Sequence, residues 1–95
     1  MAQDSGGVMP SKPLKYAALN ISAATTELVK GILALYPEAR IVPRVAPLED
    51  EDISMEIALP LRMEEIYAAR ERLHELVIQL QEQYDVLILA SAVPA

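Results

Sequence analysis

Hydrophobic residues recur every three or four positions between residues 61 and 84, and glutamates occupy the positions between them. This spacing places the apolar side chains along one side of a helix with 3.6 residues per turn. The sequence therefore predicts a long amphipathic helix, about 30 Å in length at 1.5 Å per residue. Its apolar stripe consists of Ile66, Ala69, Leu73, Leu76 and Leu80.

A second set of apolar or small positions, from Leu14 to Leu35, also steps by four and three residues. The second half of this segment is the firmer helix prediction, with Ser22 as a cap at its start and Pro37 as a stop after its end. The first half, Leu14 to Ile21, is an aliphatic run whose pattern is compatible with either a strand or a helix. The order of elements is then either βαββαβ or αββαβ.

Two extended segments lie between the helices. Residues 39–48 have the composition of a strand, but Pro43 lacks a backbone N–H, which favours a sheet edge or a bulge. Residues 53–59 alternate between apolar and polar side chains, the pattern of a half-buried strand. Because only a short acidic segment joins them, the two segments predict a β-hairpin.

The last segment, Asp85 to Val93, is apolar almost without alternation. Such a strand is normally covered on both faces. Two helices cover only one face of a small sheet, so we expect a second copy of the chain, related by a two-fold axis, to cover the rest. The predicted interface residues of this homodimer are Val86, Ile88, Leu89, Ala90 and Val93.

The predicted fold is a single α+β domain over residues 14–95, a two-layer sandwich with two helices on one face of a three- or four-stranded sheet. Residues 1–13 contain paired glycines and two prolines and predict a disordered tail. The predicted core residues are Leu28, Ile32, Leu35, Ile53, Met55, Ile57, Ile66, Leu73, Leu76 and Leu80.

Composition narrows the function classes. The chain has 95 residues and a formal net charge of −6, which disfavours binding to nucleic acid or to an anionic membrane. It has no cysteine, so disulfides and thiolate chemistry are excluded. No secretory leader is recognisable, which favours the cytoplasm. No cofactor-binding motif is present, and the glycines form no phosphate-binding loop.

The acidic stretch before the second strand is the main candidate for chemistry. Asp52, Ser54 and Glu56 share a strand face, and two of them carry carboxylates, which can act as ligands of a metal ion. We interpret the stretch as a solvated turn that protects a sheet edge and keep Asp52 and Glu56 as the metal-site alternative. The lone His74 is interpreted as a boundary residue of the long helix. The five carboxylates of the stretch are Glu49, Asp50, Glu51, Asp52 and Glu56.

The segments LYPEARI, EDISMEIALP and LQEQYDVLIL resemble the minimal nucleotidyltransferase domains, in which a Gly-Ser loop and an Asp-x-Asp strand precede a long helix. In that family the loop holds a triphosphate and the paired aspartates hold magnesium. Here VPRVAPLE replaces the loop and Ser54 replaces the second aspartate, so only Asp52 matches. The resemblance therefore implies a degenerate relative that has lost its active site.

The segment ISMEIALPLRMEEIYAARERL is similar to the cytoplasmic domain of cation-diffusion transporters. That resemblance implies an αββαβ unit that dimerises and binds zinc. The positions of that family's metal-binding histidines correspond here to Tyr67 and to a residue near Ala90 or Ser91. The resemblance therefore implies that this chain forms a dimer, but that it lacks the histidines that bind zinc in that family.

The function that these patterns favour is a non-catalytic interaction or regulatory module that self-associates through its sheet or last strand. Two alternatives stay open, a degenerate metal-dependent nucleotidyltransferase and a sensor that binds a small apolar or cationic ligand in a cleft at the dimer interface. A protein partner other than a second copy is also compatible with the pattern.

Overall fold

Two long helices and three strands follow one another in the order αββαβ in a computed structural model, which describes residues 14–44 and 51–95, with side chains from residue 18 onward. The predicted α+β class is confirmed. The predicted tail and the carboxylates Glu49 and Asp50 lie outside the described residues. The elements are α1 (Leu14–Leu35), β1 (Arg40–Pro43), β2 (Ile53–Leu59), α2 (Met63–Tyr84) and β3 (Ile88–Pro94).

Helix α1 is continuous from Leu14, so the prediction of a strand over Leu14 to Ile21 is wrong. Ile21, at the end of that run, is partly buried against the core in phase with the buried Leu28 and Ile32 further along the same helix. The prediction that Ser22 caps the helix is wrong for the same reason. Ser22 lies inside α1, where its carbonyl accepts a hydrogen bond from the Thr26 hydroxyl at 3.1 Å.

The sheet has the order β1-β2-β3, with β2 in the centre. Strands β1 and β2 are antiparallel, which confirms the predicted hairpin, and Ile41 lies opposite Ile57. Strands β2 and β3 are parallel, and Ile57 lies opposite Ala92. A parallel pair needs a crossover connection, and α2 supplies it.

One hydrophobic core joins the sheet to both helices. Nine of the ten predicted core residues are buried or pack against this core, Leu76 among the partly buried ones. The prediction for Leu35 is wrong, since 42% of it is exposed. Leu35 is the last residue of α1, and the next residue, Tyr36, packs against the core in its place. The buried residues include Leu28, Ile32, Ile53, Met55, Ile57, Ile66, Leu73 and Leu80.

Both ends of α2 are satisfied by specific hydrogen bonds. At the start, the Glu65 carboxylate accepts from the Arg62 backbone N–H at 2.9 Å. At the end, Asp85 adopts the left-handed conformation with φ 54°, and its N–H donates to the Gln81 carbonyl at 2.9 Å. The Asn20 side-chain amide of α1 donates to the Tyr84 carbonyl at 3.0 Å. This last bond connects α1 to the C-terminal end of α2.

Replacing Asn20 with alanine is expected to lower the free energy of unfolding by about 1 kcal/mol, because a partly buried hydrogen bond between the two helices is lost. Urea denaturation of both proteins measures the loss. Thr26→Ala is the matched control, since the exposed Thr26 hydroxyl bonds only within its own helix. Equal midpoints for Asn20→Ala and the wild type would contradict the contact between the helices.

Among the described residues, one helix is long and apolar enough to cross a membrane when judged by length and composition. The segment is Ala18–Leu35, of which 17% is buried. Core helices of soluble proteins pass the same test. The segment also carries Glu27 and Lys30, whose charged groups lie 3.9 Å apart on the surface.

Candidate functional site at the β3 edge

Strand β3 forms one edge of the described sheet, with β2 as its neighbour. The Ile53 N–H donates to the Leu87 carbonyl at 3.1 Å, and the Ala95 N–H donates to the Leu59 carbonyl at 2.8 Å. In a parallel ladder these bonds fix which residues of β3 direct their backbone N–H and carbonyl groups toward β2. These are the odd-numbered residues of β3. The backbone groups of the even-numbered residues therefore point away from the sheet.

Two side chains of α2 cover the ends of this edge. The Gln81 Oε1 atom accepts a hydrogen bond from the Ile88 N–H at 2.8 Å. The Arg70 Nε atom donates to the Ala92 carbonyl at 3.1 Å. Between them, Ala90 has no hydrogen-bond partner for its outward N–H and carbonyl within the described residues. We call Gln81 and Arg70 the edge-covering pair.

A groove of about 640 Å³ runs between α2 and the β3 edge. Leu73 and Val77 give its floor an apolar character, and both are buried. Glu71 and His74 line the groove and are exposed. An exposed strand edge beside an apolar groove is a place where a further strand adds to a sheet.

The opposite edge, β1, is less suited to strand addition. It has only four residues, and the last of them is Pro43. A proline has no N–H to donate, and short edge strands offer few bonds. Of the two edges, β3 is the one with a sustained set of outward backbone groups.

Among the described residues, the face of the sheet away from the helices carries exposed apolar side chains. Leu87 is 51% exposed and Val42 is 45% exposed. Leu89, Ser91 and Val93 are partly buried on the same side of the strand. The expected cover on both sides of the last strand is thus present on the helix side within one chain, and cover on the other side stays a prediction.

The predicted interface residues divide into two groups. Val86 and Ile88 are 6% and 8% exposed, because their side chains belong to the chain's own core. The chain itself thus shields these two side chains, and the assignment of the two residues to a dimer interface stays a prediction. Leu89, Ala90 and Val93 are partly buried and line the groove.

The acidic residues before and within β2 have structural partners. The Asp52 carboxylate accepts from the Leu87 N–H at 2.9 Å and so fixes the start of β3 beside β2. Glu56 lies 3.7 Å from the Arg44 guanidinium, in a surface pair whose side chains are 42% and 30% exposed. Asp52 and Glu56 are four positions apart along the chain, about 13 Å in extended conformation, which is too far for one ion to bind both.

No group of three or more metal-binding side chains occurs within residues 14–44 and 51–95. Ser54, which stands where the nucleotidyltransferases have their second aspartate, is 8% exposed. Its hydroxyl has no hydrogen-bond partner among the described residues. Asp52 and Glu56 thus each contact a neighbouring segment of the chain and do not converge on a common point.

Sequence reasoning missed the edge-covering pair. Gln81 and Arg70 are eleven residues apart, which is about three helical turns, so they lie on the same side of α2. That spacing is visible in the sequence. Its meaning depends on the register of β3 beneath the helix, which the sequence does not reveal.

Comparison of the chain with protein-family models, with curated proteins and with solved structures finds no match. The two resemblances described above therefore stay predictions.

Proposed function

We propose that this protein is a non-catalytic interaction module that self-associates by pairing β3 with β3 of a second copy. The two strands run antiparallel about a two-fold axis, and the two sheets become one. The observation that carries this proposal is the set of outward backbone groups around Ala90 without partners among the described residues. Antiparallel addition at an open edge satisfies such groups directly.

The unpaired groups are complementary to themselves when the axis passes through Ala90. The two Ala90 residues then exchange both of their hydrogen bonds. Each Ala92 N–H reaches the carbonyl of the partner's Ile88, and neither group is used by the edge-covering pair.

Neighbouring registers use the unpaired groups less well. With Leu89 or Ser91 on the axis, half of the bonds involving Ala90 require the Ile88 N–H or the Ala92 carbonyl. Gln81 and Arg70 already occupy those two groups. The backbone chemistry of the edge therefore favours the register centred on Ala90.

Side chains on the open face support the same register. Leu87, which is 51% exposed, lies opposite the partner's Val93 in this arrangement. These are positions between hydrogen-bonded pairs, where opposing side chains approach most closely. The contact removes apolar surface from water, which stabilises association.

The groove residues of α2 are compatible with a two-fold axis at Ala90. Arg70 is level with Ala92 and Gln81 is level with Ile88, so His74 and Val77 lie between these levels. The side chains nearest the axis are thus an imidazole and an apolar group. This arrangement therefore places no carboxylate next to a carboxylate, and no guanidinium next to a guanidinium, across the two-fold axis.

Replacing Ala90 with proline is expected to abolish self-association. The Ala90 N–H points outward, so proline removes a donor to the partner and leaves the bonds between β2 and β3 in place. Sedimentation equilibrium measures association, and circular dichroism melting checks that the variant is folded.

Val42→Lys is the matched control, because it places a charge on the open face away from the β3 edge. We expect this variant to associate like the wild type. If Val42→Lys dissociates the protein and Ala90→Pro does not, the partner binds the face of the sheet and the edge proposal is wrong.

A further inference from the structure

We infer that Gln81 and Arg70 regulate this self-association by occupying the hydrogen-bonding positions of the partner strand. The inference rests on the proposed function. It adds that the Gln81 and Arg70 side chains of each chain compete with a partner strand for hydrogen bonds at the β3 edge. The affinity between two copies is then set partly by how firmly these two side chains bind.

Each covering group has the chemistry of the atom it replaces. In the register centred on Ala90, the Ile88 N–H donates to the carbonyl of the partner's Ala92, and Gln81 supplies a carbonyl oxygen to that N–H at 2.8 Å. The Ala92 carbonyl accepts from the N–H of the partner's Ile88, and Arg70 supplies an N–H to that carbonyl at 3.1 Å. Both distances are ordinary for N–H···O bonds.

Gln81 therefore occupies the donor, and Arg70 the acceptor, of the bond that joins the Ile88 N–H of one copy to the Ala92 carbonyl of the other. Ile88 and the partner's Ala92 form a hydrogen-bonded pair, and one bond of that pair is mimicked at each end of the edge. The other bond, from the Ala92 N–H to the carbonyl of the partner's Ile88, remains available. A second copy can thus begin pairing at Ala90 before it displaces the covering side chains.

Contacts on α2 hold Arg70 over the edge. Its guanidinium carbon lies 5.6 Å from the centre of the Tyr67 ring, within range of a cation–π interaction. Gln81 is itself partly buried between α2 and β3. Displacement of either side chain breaks an existing hydrogen bond, so a partner strand gains only the difference between the new bond and the old one.

The test replaces each covering residue with methionine, which has similar length and no N–H or C=O group. Gln81→Met and Arg70→Met are each expected to tighten self-association by roughly tenfold, since both copies in a dimer lose a competing bond. The dissociation constant is measured by sedimentation equilibrium for the full chain. Circular dichroism melting checks that each variant is folded.

Matched controls lie two residues away on the same helix. Gln79→Met and Arg72→Met make the same chemical changes, including the same loss of charge for arginine. Both residues are exposed and lie about 200° around α2 from the covering pair. We expect both controls to associate like the wild type, which separates a local effect from a general gain in hydrophobicity or change in net charge.

The outcomes distinguish this inference from the proposed function. Tighter association of both covering variants that Ala90→Pro reverses supports both. If the wild type associates through Ala90 and the covering variants associate equally or more weakly, the regulatory inference is wrong and the function stands. If the wild type and the Gln81→Met/Arg70→Met double variant are both monomeric at millimolar concentration, the proposed function is wrong.

Two further outcomes also decide the inference. Tighter association that Ala90→Pro leaves unchanged arises from another surface and overturns it. If Gln81→Met fails to fold, Arg70→Met and its control Arg72→Met carry the same comparison, because the exposed Arg70 contributes less to the core.

Discussion

Replacing Ile57 with alanine is expected to lower the free energy of unfolding by about 2–5 kcal/mol. Ile57 is 0% exposed in the central strand, between Ile41 on β1 and Ala92 on β3. The change removes buried methyl and methylene groups and leaves a cavity that three packed elements cannot easily close. Domains of this size have about 5–15 kcal/mol of total stability, so the loss is a large fraction of it.

Chemical denaturation at several urea concentrations measures this effect, and thermal melting gives an independent value. The matched control is Val42→Ala, which shortens a strand residue that is 45% exposed. We expect it to change stability by less than about 0.5 kcal/mol. Equal losses for the two variants would mean that the core is not centred on β2.

Leu76→Asp is expected to destabilise the fold by several kcal/mol, because it places a carboxylate without a partner between two packed helices. Leu76 packs against the core and fills the space beside Gly31. A Cβ atom built on Gly31 would lie 2.6 Å from the Leu76 Cδ2 atom. The close approach of α1 and α2 leaves little room there for water to solvate a charge.

Glu75→Ala is the control for Leu76→Asp, since Glu75 is exposed on the same helix. Alanine is a strong helix former, so we expect little change in stability. Thermal melting of the two variants at matched concentration makes the comparison. If both melt at the same temperature, the assignment of this helix face to the core is wrong.

The helical periodicity of the sequence predicted α2 closely. The apolar stripe indicated a helix over residues 61–84, and the structure has Met63–Tyr84. The N-terminal run from Leu14 to Ile21 was harder, because a mostly aliphatic segment of eight residues fits either a strand or a helix. Its packing against α2, including the bond from Asn20 to Tyr84, depends on tertiary contacts that no local pattern contains.

The candidate site was predictable only in part. The apolar character of the last strand drew attention to this element, but the pattern did not reveal that the side chains of Val86 and Ile88 are buried in the chain's own core. What defines the site is the direction of backbone N–H and carbonyl groups. That direction follows from the parallel register of β3 on β2, which sequence composition does not encode. The roles of Gln81 and Arg70 are visible only once that register is known.

The brevity of β1 has a consequence for the size of the assembly. A dimer formed through β3 consumes that edge in both copies and leaves the two β1 strands as the outer borders of the combined sheet. Each border is four residues long and includes Pro43, which cannot donate to another strand. In the proposed dimer we therefore expect no further strand to add at these borders, so that the assembly stops at two chains and does not grow into a filament.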